Sequence, residues 1–160
     1  MTPTLRLYTP DDCAPCWLLF YRAVQIGAAK FYDQAQRDVW CATLPEPTPA
    51  RNARLADATT WLAEDDGRLV GFMSLEADGH LDMAFVDPDY MGQGVAAALH
   101  NRLIQSARDA GQTQLTTEAS LLAERFFTRQ GWQMLAPDTV EKNGVSLPRY
   151  LMQLTLKDSL

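Results

Sequence analysis

The sequence contains few of the residues that build metal centres or disulfide frameworks. Only three cysteines and two histidines occur among its 160 residues. An odd number of cysteines does not fit a closed set of disulfides, and no four ligands occur at the spacing of a zinc site. We therefore expect reduced thiols, no bound metal and a cytoplasmic location.

Two of the cysteines, Cys13 and Cys16, form a C-x-x-C pair at the start of a predicted helix. Such a pair lowers the pKa of a thiol and is typical of redox sites. A thioredoxin-like site, however, follows a strand within a βαβ unit, and no such unit precedes this pair. We interpret both residues as ordinary thiols, and the sequence assigns them no role.

Clusters of positive charge and long apolar runs are also missing. The 14 basic residues are outnumbered by 20 acidic ones, which gives a net charge of −6. This charge argues against nucleic acid as a partner, and no apolar run approaches the ~20 residues of a membrane span. The first residues do not resemble a secretory signal. The negative charge suits a cationic acceptor such as an amine, although solubility explains it equally well.

The length and hydrophobic pattern indicate one domain covering residues 1–160. With 160 residues, 47% of them hydrophobic, the chain is large enough to bury one core. Alternation and turn residues predict strands at 4–8, 59–64, 68–76, 80–86, 115–119, 132–141 and 147–156. Helical periodicity predicts helices from 10 to about 30 and at 34–41, 52–58, 95–110 and 121–130, the last capped by Ser120.

The most informative segment runs from Leu81 to Leu99, where a predicted strand, a proline turn and a glycine-bearing loop lead into a helix. Gly92 and Gly94 have no Cβ atom, so the backbone can turn tightly and approach a ligand closely. The free amides and the positive end of the helix dipole converge at this loop. The segment therefore predicts a pyrophosphate-binding site.

Two kinds of cofactor compete for this site. The segment from Gly92 to Ala97 satisfies the dinucleotide pattern G-x-G-x-x-A, and Glu118 ends the next strand, near where an acid that binds ribose belongs. Against this, five residues with a proline separate strand and loop, and Asp78-Gly79 makes the strand one arm of a hairpin. A dinucleotide domain also needs repeated parallel βαβ units. An NAD(P)-binding protein is therefore the less favoured alternative.

The segment from Val86 to Ala96 resembles the acetyl-CoA loop of the GNAT N-acetyltransferases, and Ser120–Trp132 resembles the N-x-x-A-x-x-F-Y-x-x-x-G-F helix of that family. Phe20–Val24 and Thr117–Ser120 are similar to its small bacterial YafP-like subgroup. The resemblance implies an acetyl-CoA-dependent N-acetyltransferase. It also implies a mixed, partly antiparallel sheet of six or seven strands with helices on both faces.

The resemblance also implies which residues contact acetyl-CoA. Backbone groups of β-strand residues would face the pantetheine arm and polarise the thioester carbonyl, and the loop would hold the pyrophosphate. The implied cofactor-binding residues are Ala84, Phe85, Val86, Met91, Gly92, Gln93, Gly94, Val95, Ala96, Ala97, Ser120 and Phe127. Arg125 or Arg129 would reach the 3′-phosphate, unless both are simply solvated surface charges.

Three positions depart from the pattern of the family. Met91 stands where Gln or Arg is usual, Ser120 replaces Asn, and Phe127 replaces the Tyr that often protonates the leaving CoA thiolate. The acid is then absent or is one of Tyr150, Tyr21 and Tyr32. These departures keep a second hypothesis open, a non-catalytic module that binds or senses acyl-CoA.

The candidates for taking the proton of the amine are Asp82, His80 and Glu118. Strict alternation places His80, Asp82 and Ala84 on one face of the strand. Histidine titrates close to neutral pH, and an acid within an apolar strand is expected to be partly buried for a reason. Structural roles are open for each: a hydrogen bond for Asp82, an exposed turn position for His80, and a cap for Glu118.

The acceptor that the resemblance implies is an amine, either of a small molecule or exposed on a protein. Fold resemblance cannot name it, because sites rather than folds set function. The sequence also leaves open whether the chain acts as a monomer or as a homodimer.

Overall fold

A computed structural model describes residues 2–156 and contains one seven-stranded sheet in the order β1-β2-β3-β4-β5-β7-β6. The described strands pair antiparallel except β4 with β5. The sheet confirms the predicted mixed, partly antiparallel architecture. The strands are β1 Thr4–Leu7, β2 Thr59–Asp65, β3 Arg68–Leu75, β4 His80–Val86, β5 Gln114–Ser120, β6 Gln133–Lys142 and β7 Val145–Thr155.

Helices cover both faces of the sheet, as the resemblance implied. The helices are α1 Cys13–Arg22, α2 Gln34–Cys41, α3 Pro49–Ala56, α4 Val95–Asp109 and α5 Glu124–Arg129. Phe72 and Met83 pack with α1 on one face, whereas Met73 packs with Leu99 of α4 on the other. Within residues 2–156, no helix is long and apolar enough to cross a bilayer.

Some predicted helix boundaries are wrong. The first helix ends at Arg22, not near residue 30, because the chain continues into a π turn in which Ala28 donates to the carbonyl oxygen of Ala23 at 3.0 Å. The helix predicted at 121–130 begins only at Glu124. Ser120 caps the preceding turn instead, since its Oγ accepts a hydrogen bond from the amide of Ala123 at 3.2 Å.

Gly71 on β3 lies directly beneath the first turns of α4. A Cβ atom there would lie 2.8 Å from Cγ1 of Val95 and 3.0 Å from Cδ1 of Leu99. We therefore expect Gly71→Ala to lower the free energy of unfolding by about 1–3 kcal/mol through overpacking, as measured by urea unfolding. In a double-mutant cycle with Val95→Ala, the two losses should be less than additive. Strictly additive losses would contradict this steric contact.

Candidate active site

The site lies where strands β4 and β5 separate. The two strands pair only at His80 with Thr116 and at Leu81 with Thr117. Beyond these positions β4 continues along β3 as far as Val86, and β5 continues along β7 as far as Ser120. Among the described strands, the last residues of β4 thus have no partner on the β5 side. Their backbone groups on that edge are available to a ligand.

Two cavities meet at this opening. One, of about 550 Å³, lies between β4, the start of α4 and α5. The other, of about 380 Å³, lies between β4, β5, α2 and the β6–β7 hairpin. An acyl group held at their junction is accessible from both sides. The residues that line both cavities are Trp40, Ala84, Phe85, Ser120, Ala123 and Phe127.

The larger cavity contains the amino end of α4. Gly94 is the N-cap residue and has the left-handed backbone angle φ +85°, which a residue with a Cβ adopts only with strain. The first helical hydrogen bond runs from the amide of Ala98 to the carbonyl oxygen of Gly94 at 3.1 Å. The amides of Val95, Ala96 and Ala97 therefore point out of the helix end, which suits a pyrophosphate.

Most of the residues predicted to bind the cofactor line this cavity. Gln93 does not; its side-chain amide donates to the carbonyl oxygen of Asp89 at 3.2 Å and thereby closes the loop. Arg125 and Arg129 also line the cavity. The predicted residues found in its lining are Ala84, Phe85, Val86, Met91, Gly92, Gly94, Val95, Ala96, Ala97, Ser120 and Phe127.

Buried Asp87 anchors the turn that leads into the loop. Its carboxylate accepts hydrogen bonds from Arg22 at 3.4 Å, from Arg68 at 3.3 Å and from the backbone amide of Asp89 at 2.9 Å. Burial alone would raise the pKa of Asp87, but the amide of Asp89 and the guanidinium groups hold that pKa below its usual value. A charged Asp87 therefore fixes the turn in place.

Residues 23–154 match the acetyltransferase (GNAT) domain family. The chain belongs to the GNAT family of acetyltransferases. It is 34% identical to the N-acetyltransferase YafP of Escherichia coli K12 over 149 residues, 93% of each chain. The predicted family and enzyme class, an N-acyltransferase, are confirmed.

Solved structures show the same fold. A GCN5-related N-acetyltransferase from Rhodopseudomonas palustris is 34% identical and superposes with a TM-score of 0.89 over 98% of this chain and 97% of the other. The acetyltransferase yncA of Salmonella typhimurium, solved with its cofactor acetyl-CoA, is 20% identical with a TM-score of 0.74 over 100% and 97% of the two chains. That complex agrees with the predicted co-substrate.

The family and the topology argue against the dinucleotide alternative. A dinucleotide domain is built from repeated parallel βαβ units. Within residues 2–156, the sheet of this GNAT enzyme contains a single parallel pair, β4 with β5, and that pair spans only two positions.

The smaller cavity contains Asp82, which a β-bulge places there. Ser74 of β3 pairs with Met83 of β4, and the next residue of β3, Leu75, pairs with Leu81. Asp82 lies between these two pairs and is therefore the extra residue of the bulge. The predicted alternation is therefore wrong: Leu81 packs in the α4-side core and Met83 in the α1-side core. A bulge redirects a side chain in this way.

Arg54 of α3 holds the Asp82 carboxylate through two hydrogen bonds. Nε donates to Oδ2 at 2.7 Å, and Nη2 donates to Oδ1 at 3.0 Å. The Asp82 side chain retains 18% of its exposure, so it is partly buried, as expected from its apolar neighbours. Both residues line the smaller cavity.

His80 lies beside Asp82 but lines neither of these two cavities. Its Nδ1 is 2.9 Å from Oγ1 of Thr116. One side-chain N or O atom from each of Glu76, His80 and Asp82 lies within 4.8 Å of the others. His80 is therefore a neighbour of Asp82 outside the cavity lining.

Glu118 also lines the smaller cavity and is paired with Arg149 of β7. Arg149 donates from Nη1 to Oε2 of Glu118 at 2.9 Å and from Nε to Oδ2 of Asp138 at 2.6 Å. Lys142 at the end of β6 adds a third cation to the lining, after Arg54 and Arg149. The cavity thus carries charges of both signs.

Tyr32, in the lining of the same cavity, connects the segment before α2 with strand β7 and with the turn after β5. Its buried hydroxyl donates to the carbonyl oxygen of Pro148 at 2.6 Å and accepts from the amide of Leu121 at 3.0 Å. Burial raises the pKa of Tyr32. Its proton is therefore committed to a structural hydrogen bond, and Tyr21 and Tyr150 line neither of the two cavities.

Phe127 is buried against Trp132, with ring centroids 5.1 Å apart. Having no hydroxyl, it contributes shape rather than a proton to the junction of the cavities. The hydroxyl present in the junction lining belongs to Ser120. The indole N–H of Trp40 is the other polar side-chain group there.

The residues that sequence reasoning missed are Arg54, Lys142 and Arg149, together with the structural role of Tyr32. They come from α3, the β6–β7 hairpin and the segment before α2, and no motif connects them. The helix signal for α3 was present, because Thr48 accepts from the amide of Arg51 at 3.2 Å and Pro49 follows it. That signal indicates where the helix starts, but not what its arginine contacts.

Cys13 and Cys16 are buried in the α1-side core. Burial raises the pKa of the Cys16 thiol, and a protonated thiol is a poor nucleophile. This environment is the opposite of the one that a redox C-x-x-C pair requires.

Proposed function

We propose that this GNAT enzyme transfers an acetyl group from acetyl-CoA to an amine by direct attack of the amine on the thioester. The observation that carries the proposal is the junction of the two cavities at Ala84 and Phe85. One cavity ends at a helix amino end that suits pyrophosphate, and the other holds carboxylates that suit an amine. We also propose a cytoplasmic location, which the odd number of cysteines supports.

In this proposal the amides of the loop and of the first turn of α4 bind the pyrophosphate. Met91, in place of the usual Gln or Arg, should cost little affinity for the cofactor, because the loop acts through backbone N–H groups rather than through a side chain. Ala84, Phe85 and Val86 present their free edge to the pantetheine arm, where a fixed N–H polarises the carbonyl. Arg125 and Arg129 line the same cavity and supply cations for the 3′-phosphate.

The amine attacks only after it loses a proton. In this proposal the smaller cavity binds the amine, and we call it the acceptor cavity. Asp82 and Glu118 both line it. We assign Asp82 the role of the base that first takes the proton, because the bulge directs its side chain into this cavity. Arg54 orients its carboxylate. His80, next to Asp82, then passes the proton outward. Glu118 is the alternative base, held by Arg149.

The CoA thiolate leaves as the tetrahedral intermediate collapses. The Ser120 hydroxyl at the cavity junction is the donor that we propose for the sulfur, in the absence of a tyrosine at position 127. Water supplies the final proton to the thiolate. A non-catalytic acyl-CoA-binding module is the second candidate, favoured by the ion pairs that already engage both carboxylates.

A thermal-shift comparison of acetyl-CoA, CoA, NAD and NADP tests the donor. A ligand at 100 times its Kd stabilises a protein by about 2.7 kcal/mol, so we expect CoA and its acetyl ester to raise Tm and the nicotinamide nucleotides to leave it unchanged. A thiol-release assay with a panel of amines then separates the enzyme from the binding module. Stabilisation by NAD but not by CoA would overturn the proposal.

A further inference from the structure

The charged side chains of the smaller cavity, the proposed acceptor cavity, come from different walls. The carboxylates of Asp82 and Glu118 lie on β4 and β5, the strands whose separation opens toward the thioester junction. The cations Lys142 and Arg149 lie on the β6–β7 hairpin, which forms another wall. Asp82 is paired with Arg54, and Glu118 is paired with Arg149. Within residues 2–156, Nζ of Lys142 and Nη2 of Arg149 remain unused as donors, and both lie on the hairpin wall.

The hairpin cations have hydrogen-bond donors to spare. Arg149 uses Nε and Nη1 for Asp138 and Glu118, and within residues 2–156 its Nη2 makes no hydrogen bond. The exposed ammonium group of Lys142 makes none to any described residue. A guanidinium presents its N–H groups in a planar fork that matches a carboxylate. The wall is therefore able to bind one anionic group in addition to its internal ion pairs.

The size and the remaining lining restrict the acceptor further. A volume of about 380 Å³ lies at the small end of ligand cavities. Aromatic and aliphatic side chains form one part of the remaining lining, which suits an apolar group. These side chains are Phe20, Trp40, Phe85, Val140 and Leu147.

We propose that the acceptor is a small amino acid-like zwitterion, a primary amine that also carries a carboxylate and an apolar side chain. Its amine lies toward Asp82 and the thioester, and its carboxylate lies against Arg149 and Lys142. This assignment rests on the acetyltransferase function proposed above and names the substrate class for the same site. An exposed protein lysine carries no such carboxylate and would leave the cationic wall unused.

The test compares amines that differ only by the carboxylate: phenylalanine with phenethylamine, and leucine with isopentylamine. Wild-type enzyme is expected to have a higher kcat/KM for each amino acid. Arg149→Gln should raise KM for the amino acids by about 10- to 100-fold, the loss of a charge-assisted hydrogen bond. Lys142→Gln should raise it by at most about fivefold, because Lys142 is exposed. Exposed Lys30 lines neither cavity, so Lys30→Gln is the matched control and should change neither KM.

The simple amines distinguish recognition from structural damage. Removing the Arg149 guanidinium frees the Glu118 carboxylate, which lines the cavity, so KM for phenethylamine should stay constant or fall. A parallel rise for both members of a pair would overturn the proposal, as would a preference for the simple amines or for a lysine peptide. Binding of acetyl-CoA without turnover of either amino acid would also overturn it. If the wild-type enzyme does not bind acetyl-CoA at all, the acetyltransferase function proposed above is itself wrong.

Discussion

Asp82→Asn is expected to lower kcat/KM by about 10²–10⁴-fold, the usual contribution of a positioned proton acceptor, while the Kd for acetyl-CoA changes little. The amide keeps the size of the side chain but cannot take a proton from the ammonium. Thiol release under steady-state conditions measures the rate, and isothermal titration with acetyl-CoA measures the affinity.

The matched control for this prediction is Arg54→Gln, which breaks the same ion pair but keeps the carboxylate. If Asp82 takes the proton, Arg54→Gln should cost far less in kcat than Asp82→Asn. Equal losses in the two variants, together with equal losses in Tm, would mean that the pair is only structural. His80→Gln should reduce the rate without affecting acetyl-CoA binding. If Asp82→Asn retains full activity, the proton acceptor is Glu118 or water.

Gly94→Val should weaken acetyl-CoA binding by about 10²–10⁴-fold. The helix start needs φ +85° at this position, and a β-branched side chain both opposes that angle and occupies the place of the pyrophosphate. Loss of two hydrogen bonds to a charged group, about 1.5–3 kcal/mol each, gives this range. Titration calorimetry with CoA checks it.

Gly67 offers a control for backbone strain alone. It has φ +81°, and a Cβ atom added at either Gly67 or Gly94 would meet no atom of a non-adjacent residue within 4 Å. Gly67 lies in the turn between β2 and β3, away from both cavities. Gly67→Val should therefore lose about as much stability as Gly94→Val, yet bind CoA normally. Normal CoA binding by Gly94→Val would mean that the phosphate site lies elsewhere. Weak CoA binding by both glycine variants would mean that the lost affinity comes from unfolding.

Local chemistry made the glycine-bearing loop and the start of α4, the proposed cofactor half of the site, predictable. The glycines at 92 and 94, the proline turn before them and the apolar stripe of α4 all act within a few residues of each other. Their effect on the backbone does not depend on distant contacts. The mixed, partly antiparallel sheet followed from the resemblance, whereas the order of the strands came from the structure, since alternation and turn residues identify strands but not their neighbours in a sheet.

The acceptor half depended on contacts between distant segments. Strict alternation failed at Asp82 because a bulge, set by the pairing of β3 with β4, turned its side chain toward Arg54, 28 residues away in sequence. Glu118 of β5 pairs with Arg149 of β7, 31 residues away in sequence, because the two strands are neighbours in the sheet. Tyr32 was one of three open candidates for the acid until its hydroxyl was found between Pro148 and Leu121.

By itself the sequence determined the strands, most of the helices, the glycine-bearing loop before α4 and the family, because these are encoded by short-range periodicity, turn chemistry and a contiguous motif. Only the tertiary structure decided which charges meet in the acceptor cavity, since ion pairs between separate strands and helices depend on register, bulges and packing. The cofactor loop can therefore be recognised from the order of the residues, whereas the acceptor cavity is formed by residues that only the fold brings together.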